Sequence, residues 1–290
     1  MKRINPILLG LSLAVACSSM AAAQETASMP KVLQITREFI KPYKSGAAHD
    51  KTESAFVAAM SKAKFPAYYV GLDSLSGKSR ALFLTGYESF ADWEKDNKIV
   101  DKNPALAAEL ERASIADGEL LDEVDSGVFT FSEELSYRPH ADISHARYME
   151  ITEFHIRLGH TGDWHKLTTM YKDAQEKAGT SAHWATYEAA YGTSGGTYLS
   201  ISGDTSMADI DKGYGEDGKK FMAALGEDGM KELDKLYGAT VESANTQLFA
   251  INPKQSYVSP ETIKADPEFW APKPAAKPAV KPAAAEKKTP

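Results

Sequence analysis

Residues 32–40 read VLQITREFI, and residues 148–156 read YMEITEFHI. Both alternate apolar and polar side chains and are rich in β-branched and aromatic residues, the pattern of a half-buried strand. Laid over each other at an offset of 116, they match Ile35-Thr36 with Ile151-Thr152 and Ile40 with Ile156. The same offset pairs Gly46 with Gly162, His49 with His165, Ala58 with Ala174, Ser89 with Thr205, Ala107-Ala108 with Ala223-Ala224, and Leu120 with Leu236. After a short insertion, Phe129 falls on Phe249 and Tyr137 on Tyr257. Matches of this kind, in one order at one period, mark a duplicated unit.

The order of elements repeats as well. In the first copy Gly46 ends the strand, and residues 50–64 place Phe56, Val57 and Met60 at helical spacing. Residues 68–72 and 80–86 read as two strands around the turn Ser74-Leu75-Ser76-Gly77. Ser89, with Asp92 three residues on, opens a second helix, and residues 128–132 close the unit. The second copy follows with a helix over 164–177 and strands over 184–188 and 197–202. A glycine-broken helical region from Thr205 to Leu236 and a strand over 246–251 complete it. The tetrads Gly215-Glu216-Asp217-Gly218 and Gly226-Glu227-Asp228-Gly229 read as turns that interrupt this helix.

Residues 31–139 and 146–258 thus each predict a ferredoxin-like βαββαβ unit, an α+β fold whose helices cover one face of an antiparallel sheet. The bare faces need cover, so the two units are expected to pack sheet to sheet and enclose a cavity.

The glycine three residues before the histidine at each first helix, and the run Gly86-Tyr87-Glu88-Ser89-Phe90-Ala91-Asp92-Trp93-Glu94, carry a family likeness. In element order the chain resembles the dimeric α+β barrel superfamily over residues 31–257. That superfamily includes antibiotic-biosynthesis monooxygenase-like, NIPSNAP-like and chlorite-dismutase-like domains. The resemblance implies an intramolecular barrel and a function among ligand binding, cofactor-free oxygenation and haem chemistry.

The chain opens with Lys2-Arg3, an apolar stretch from Ile7, and Ala21-Ala22-Ala23, the order of a secretory signal. Cleavage after Ala23 makes residues 1–23 a signal peptide and the protein periplasmic or secreted. Lipid anchoring at Cys17, which follows Ala14-Val15-Ala16, is the rival reading. Cys17 is the only cysteine, so an internal disulfide and a thiolate metal site are excluded. The apolar stretch is too short for a transmembrane span. A formal charge of −7 opposes general nucleic-acid binding. Residues 271–290, rich in Pro, Ala and Lys, predict a disordered basic tail that solubilises the chain or touches an acidic envelope polymer.

His49 and His165, matched at the helix starts, are the candidate catalytic bases, with helix capping as the structural alternative. Gln34, Thr36 and Glu38 share one strand face, and Glu150 and Thr152 repeat the choice; this face is expected to line the cavity. Tyr69, Tyr187 and Tyr198 join it as phenol donors, and His183 as a further ligand contact. The spacings of His155, His160, His165 and His183 fit no metal motif, so no metal site is assigned. No cofactor is assigned either; a haem on His165 or His183 is the one the resemblance leaves open. These readings converge on an exported small-molecule-binding protein, monomeric or a low oligomer. The alternatives are an oxidoreductase on the same scaffold, a cofactor-free monooxygenase or a haem enzyme, and a non-enzymatic envelope-associated interaction protein.

Overall fold

The alternating stretch that opens each copy forms a strand in the computed structural model, which describes residues 28–44, 46–140 and 142–271. The expected signal peptide and, but for Ala271, the expected tail lie outside these residues. The first unit runs β1 (Val32–Ile40), α1 (Gly46–Ala63), β2 (Tyr69–Ser74), β3 (Arg80–Tyr87), α2 (Phe90–Asp101), α3 (Pro104–Gly118) and β4 (Leu121–Tyr137). The second runs β5 (Tyr148–Ile156), α4 (Thr161–Ala178), β6 (Trp184–Tyr191), β7 (Thr197–Asp204), α5 (Met207–Lys212), a π-helical turn (Gly213–Asp217), α6 (Gly218–Thr240) and β8 (Val241–Ile251).

Local chemistry explains the helix boundaries. The Ser89 side chain accepts from the Asp92 N–H at 3.1 Å and starts α2. The expected single helix is split because Pro104 lacks an N–H and disfavours helical geometry at Asn103. Asn103 caps the new start, its Oδ1 accepting from the Leu106 N–H at 3.1 Å. In the second unit one glycine tetrad lies across the π-helical turn, and Gly226 breaks α6 at φ 68°.

The eight strands close into an antiparallel barrel in the order β4-β1-β3-β2 and then β8-β5-β7-β6. Each half is a ferredoxin-like sheet, and the seams are β2 with β8 and β4 with β6. The strand expected over 128–132 extends to 17 residues because its second half leaves its own unit and pairs with β6, ending at Tyr137 opposite Trp184. The chain after β8 makes the mirror-image crossing: Tyr257 bridges to Tyr69 at the start of β2.

Leu33 and Ile35 of β1 cluster with Met149 and Ile151 of β5. These strands stand opposite in the ring, so their side chains meet only through the lumen. The lumen therefore takes the apolar face, and the expectation that Gln34, Thr36, Glu38, Glu150 and Thr152 line the cavity is corrected: they lie on the outer face. Both faces of a covered barrel are buried, and the lumen, most remote from water, takes the more apolar set. The C-terminal helices α7 (Pro260–Ala265) and α8 (Pro267–Trp270) complete the core. Trp270 buries its ring in the lumen cluster and donates Nε1–H to the Ser144 carbonyl at 2.9 Å. Among the described residues no helix is long and apolar enough to cross a membrane.

Candidate functional site

Two places have the chemistry of a site. The first is one mouth of the barrel, where a cavity of 740 Å³ opens between the strand ends, the segment after Arg138 and the start of α7. Its walls are mostly apolar, with Leu33, Val70, Leu84, Met149 and Ile201 among them. Tyr187 lies at the wall, and burial raises its phenol pKa, keeping a proton available to donate. His183 is at the rim with its Nδ1 3.2 Å from the Ser181 carbonyl and its Nε2 3.0 Å from the Gly203 carbonyl. The His140 ring lies 4.3 Å from it. The opposite end of the lumen is small and polar, lined by Arg37, Arg80, Glu153, Asn245 and Gln247. There Arg37 pairs with Asp125 at 3.0 Å and with Glu153 at 3.5 Å.

The second place lies outside the barrel wall, between the sheet of the first unit and helices α1 and α3. Helical spacing puts His49 and Glu53 on one face of α1, and that face turns inward. Glu38 reaches them from β1 and Asp117 from the last turn of α3. His49, Glu53 and Asp117 are 0%, 3% and 2% exposed. His49 Nε2 lies 3.1 Å from Glu38 Oε2 and 3.6 Å from Asp117 Oδ1. The Thr52 hydroxyl donates to Asp117 Oδ1 at 2.5 Å. Gln255, from the segment after β8, places its amide Nε2 3.3 Å from His49 Nδ1 and donates to Asp50 at 2.9 Å. Desolvation and the neighbouring Glu38 and Asp117 charges push the Glu53 carboxyl up to about 9. Glu38 is also raised, chiefly by desolvation. His49 is raised by its bond to Glu38 and the charges around it, against the opposing effect of burial.

The two candidate histidines are not equivalent. The strands of the two units match at an offset of 116, but α1 and α4 begin 115 apart, at Gly46 and Thr161. Buried His49, Glu53 and Ala59 therefore recur as buried Trp164, Thr168 and Ala174. His165 falls one residue round the helix, half-exposed, its Nδ1 2.8 Å from Glu134 Oε1.

The remaining candidates scatter. Tyr187 and His183 border the cavity; Tyr69 touches its edge but packs its ring on the helix side, 6.0 Å from Phe83. Tyr198 instead packs on the helix side with Trp164, its hydroxyl 3.2 Å from Glu188 and pushed up to about 12 by burial. Thr152 bonds Thr246 on the neighbouring strand at 2.8 Å, and Glu150 accepts from Tyr214 at 3.5 Å. Glu53, Asp117 and Gln255 were missed. The four-residue step from His49 to Glu53 was a usable signal; Asp117 and Gln255 join only through the fold. A haem in the second unit would have to displace packing and hydrogen bonds already made there. Phe154, Trp164, Leu233 and Leu236 fill the space between its helices and sheet, and both ring nitrogens of His183 face backbone carbonyls.

No protein-family model matches the sequence, and no curated protein matches it significantly. Solved structures do match. An anthrone oxidase-like protein superposes with TM-score 0.51 at 11% identity, covering 79% of this chain and 94% of its own. A proposed monooxygenase from Fusobacterium nucleatum gives TM-score 0.51 at 6% identity, covering 78% and 93%. A chlorite dismutase from Candidatus Nitrospira defluvii gives TM-score 0.48 at 9% identity, covering 83% and 98%. The chain has the dimeric α+β barrel fold, completed within one polypeptide.

Proposed function

We propose that the protein binds a small, largely apolar molecule in the cavity at the barrel mouth. The observation that carries this reading is the cavity itself: 740 Å³ of space with mostly apolar walls, aliphatic and aromatic, and polar groups such as Tyr187, His140 and His183 to orient a guest. That size and lining suit a compact organic ligand. The Tyr187 phenol offers a hydrogen bond to a carbonyl or carboxylate on it. Export, as the N-terminal residues suggest, would place this binding in the periplasm or outside the cell.

The test is fluorescence titration with anilinonaphthalene sulfonate, a probe of apolar sites. Ile201→Trp, which fills the cavity from the wall, is expected to weaken probe binding about tenfold or more while leaving the melting temperature within a few degrees. Unchanged probe affinity in that variant sinks the reading. A second reading draws on the barrel shared with monooxygenase-like proteins: oxidation of the bound molecule by dioxygen, with the imidazole of His140, packed against His183 at the rim, as proton acceptor. Oxygen uptake with an electron-rich phenol, lost in His140→Ala, is the outcome that favours it.

A further inference from the structure

Independently of the cavity, we propose that Glu38, His49, Glu53 and Asp117 form a binding site for one divalent first-row transition-metal ion, of the Mn²⁺ or Zn²⁺ type. One ligand atom from each residue lies within 4.8 Å of all the others. Ligands about 2.0–2.2 Å from a shared ion sit roughly 3–4.4 Å apart, so a small contraction completes the shell.

Three observations favour an ion over a merely structural cluster. First, Glu53 Oε1 is buried without any hydrogen-bond partner, although its side chain points among the other ligands. An unpaired buried carboxylate oxygen is costly, and a cation would supply its partner; the neighbouring Tyr69 hydroxyl, buried and equally unpaired, makes no bond to it. Second, among the described residues the only basic group paired with Glu38 or Asp117 is His49, and no ion pair reaches Glu53. Once ionised, three carboxyl groups around one imidazole carry an excess of negative charge that a dication largely cancels. Third, the twin site in the second unit carries no charged group among the described residues, with Thr168 where α1 has Glu53. Phe154 stands where β1 has Glu38, Trp164 where α1 has His49, and Leu233 and Leu236 come from α6 in place of Asp117. The same fold closes that space without charges, so the polar set is not a packing requirement.

The surroundings orient the ligands as a metal site needs. Thr52 holds Asp117, and Gln255 lies against the Nδ1 edge of His49, so that Nε2 faces the carboxylates. With Nε2 on a metal, the ring proton sits on Nδ1 and needs an acceptor. A half-turn of the amide would bring the buried, unpartnered Gln255 Oε1 to it, in exchange for the Nε2 bond to Asp50. The donor set selects the ion: an imidazole argues against Mg²⁺ and Ca²⁺, and three carboxylates with no thiolate argue against soft Cu⁺.

The experiment uses tag-free full-length protein stripped with a chelator. MnCl₂ is titrated while the free-Mn²⁺ EPR signal is followed, and ZnCl₂ and MgCl₂ are compared by thermal melting. The expected result is one Mn²⁺ per chain and a higher melting temperature with Mn²⁺ or Zn²⁺ than with Mg²⁺. Glu53→Gln should lose affinity by about a hundredfold, and His165→Ala should bind as wild type. Failure of the wild-type protein to bind Mn²⁺ or Zn²⁺ overturns the proposal, as does equal affinity in Glu53→Gln. If Glu53→Gln does not fold, Asp117→Asn takes its place, and the wild-type stoichiometry still decides. Anilinonaphthalene sulfonate binding is read separately, so failure here leaves the cavity reading standing.

Discussion

The space between helices and sheet is built twice in this chain, with opposite chemistry. In the first unit it holds Glu38, His49, Glu53, Asp117 and Gln255; in the second it holds Phe154, Trp164, Thr168, Leu233, Leu236 and Leu135. The backbone around the two is closely alike. Gly71 N–H donates to Ser256 Oγ at 2.9 Å in one, and Thr186 N–H donates to Ser136 Oγ at 2.8 Å in the other. The pair is an internal control: an apolar filling satisfies the architecture, while the polar filling carries desolvation costs of several kcal/mol per ion. What the first unit gains in exchange is a set of ligands.

The sharpest way to break this comparison is to move a charge across it. Leu233→Asp puts a carboxylate into the apolar interface with no cation present. It is expected to cost about 3–5 kcal/mol, lowering the melting temperature by roughly 6–20 °C. The reverse change, Glu53→Leu in metal-free protein, should be neutral or stabilising, since it removes an unpaired buried acid. Equal losses from both substitutions would show that the two interfaces do not differ as described.

Next in size is the pH response of the metal-free protein. Glu53 is held at about 9 in the fold against an ordinary value of 4.5, so between those limits the folded chain keeps a proton that the unfolded chain releases. Its contribution is full below pH ~4.5 and is lost as pH rises toward 9, at a slope of up to about 1.4 kcal/mol per pH unit. Glu38, Asp73 and His49, also raised, act in the same direction, each above its own unfolded pKa. Asp50, lowered by Lys254, Gln255 and Asn252 against its own desolvation, acts in the acid limb, where its contribution is lost as pH falls. Thermal melts at pH 5.5 and 8.5 should therefore favour the lower pH, and Glu53→Gln should flatten the difference. Bound metal should reverse the trend, because it displaces those protons.

A smaller effect probes the segment that crosses from β8. A Cβ at Gly71 would lie 2.7 Å from the Gln255 carbonyl oxygen, whereas the twin position carries Thr186, which donates to the Leu135 carbonyl at 3.0 Å. Gly71→Ala should cost about 1–3 kcal/mol by denaturant melt and weaken Mn²⁺ binding by displacing Gln255. The smallest expected effect is at His165: its replacement by Ala should change stability by no more than about 0.5 kcal/mol, against a clear loss for His49→Ala. A similar cost at both histidines would restore their equivalence.

Much of the fold was legible because its signals are local. Strand alternation at 32–40 and 148–156, the Ser89 cap and the repeat offset each depend on residues near in sequence. The choice of face was not, because alternation says that two faces differ but not which meets the lumen of a closed barrel. The pairing of His49 with His165 misled for a related reason. A one-residue difference between strand and helix leaves the letters aligned but turns the side chain by about 100°. Asp117 and Gln255 carry no motif at all. One comes from the end of α3 and the other from beyond β8, and only the assembled fold makes them neighbours of His49.

The crossing of the 252–257 segment back onto the first unit sets an order of events in biosynthesis. Gln255 and Tyr257, which close the helix–sheet interface around His49 and Tyr69, leave the ribosome more than a hundred residues after the elements they seal. The first unit must therefore wait, with its acidic pocket unsealed, until residues 252–257 have been made.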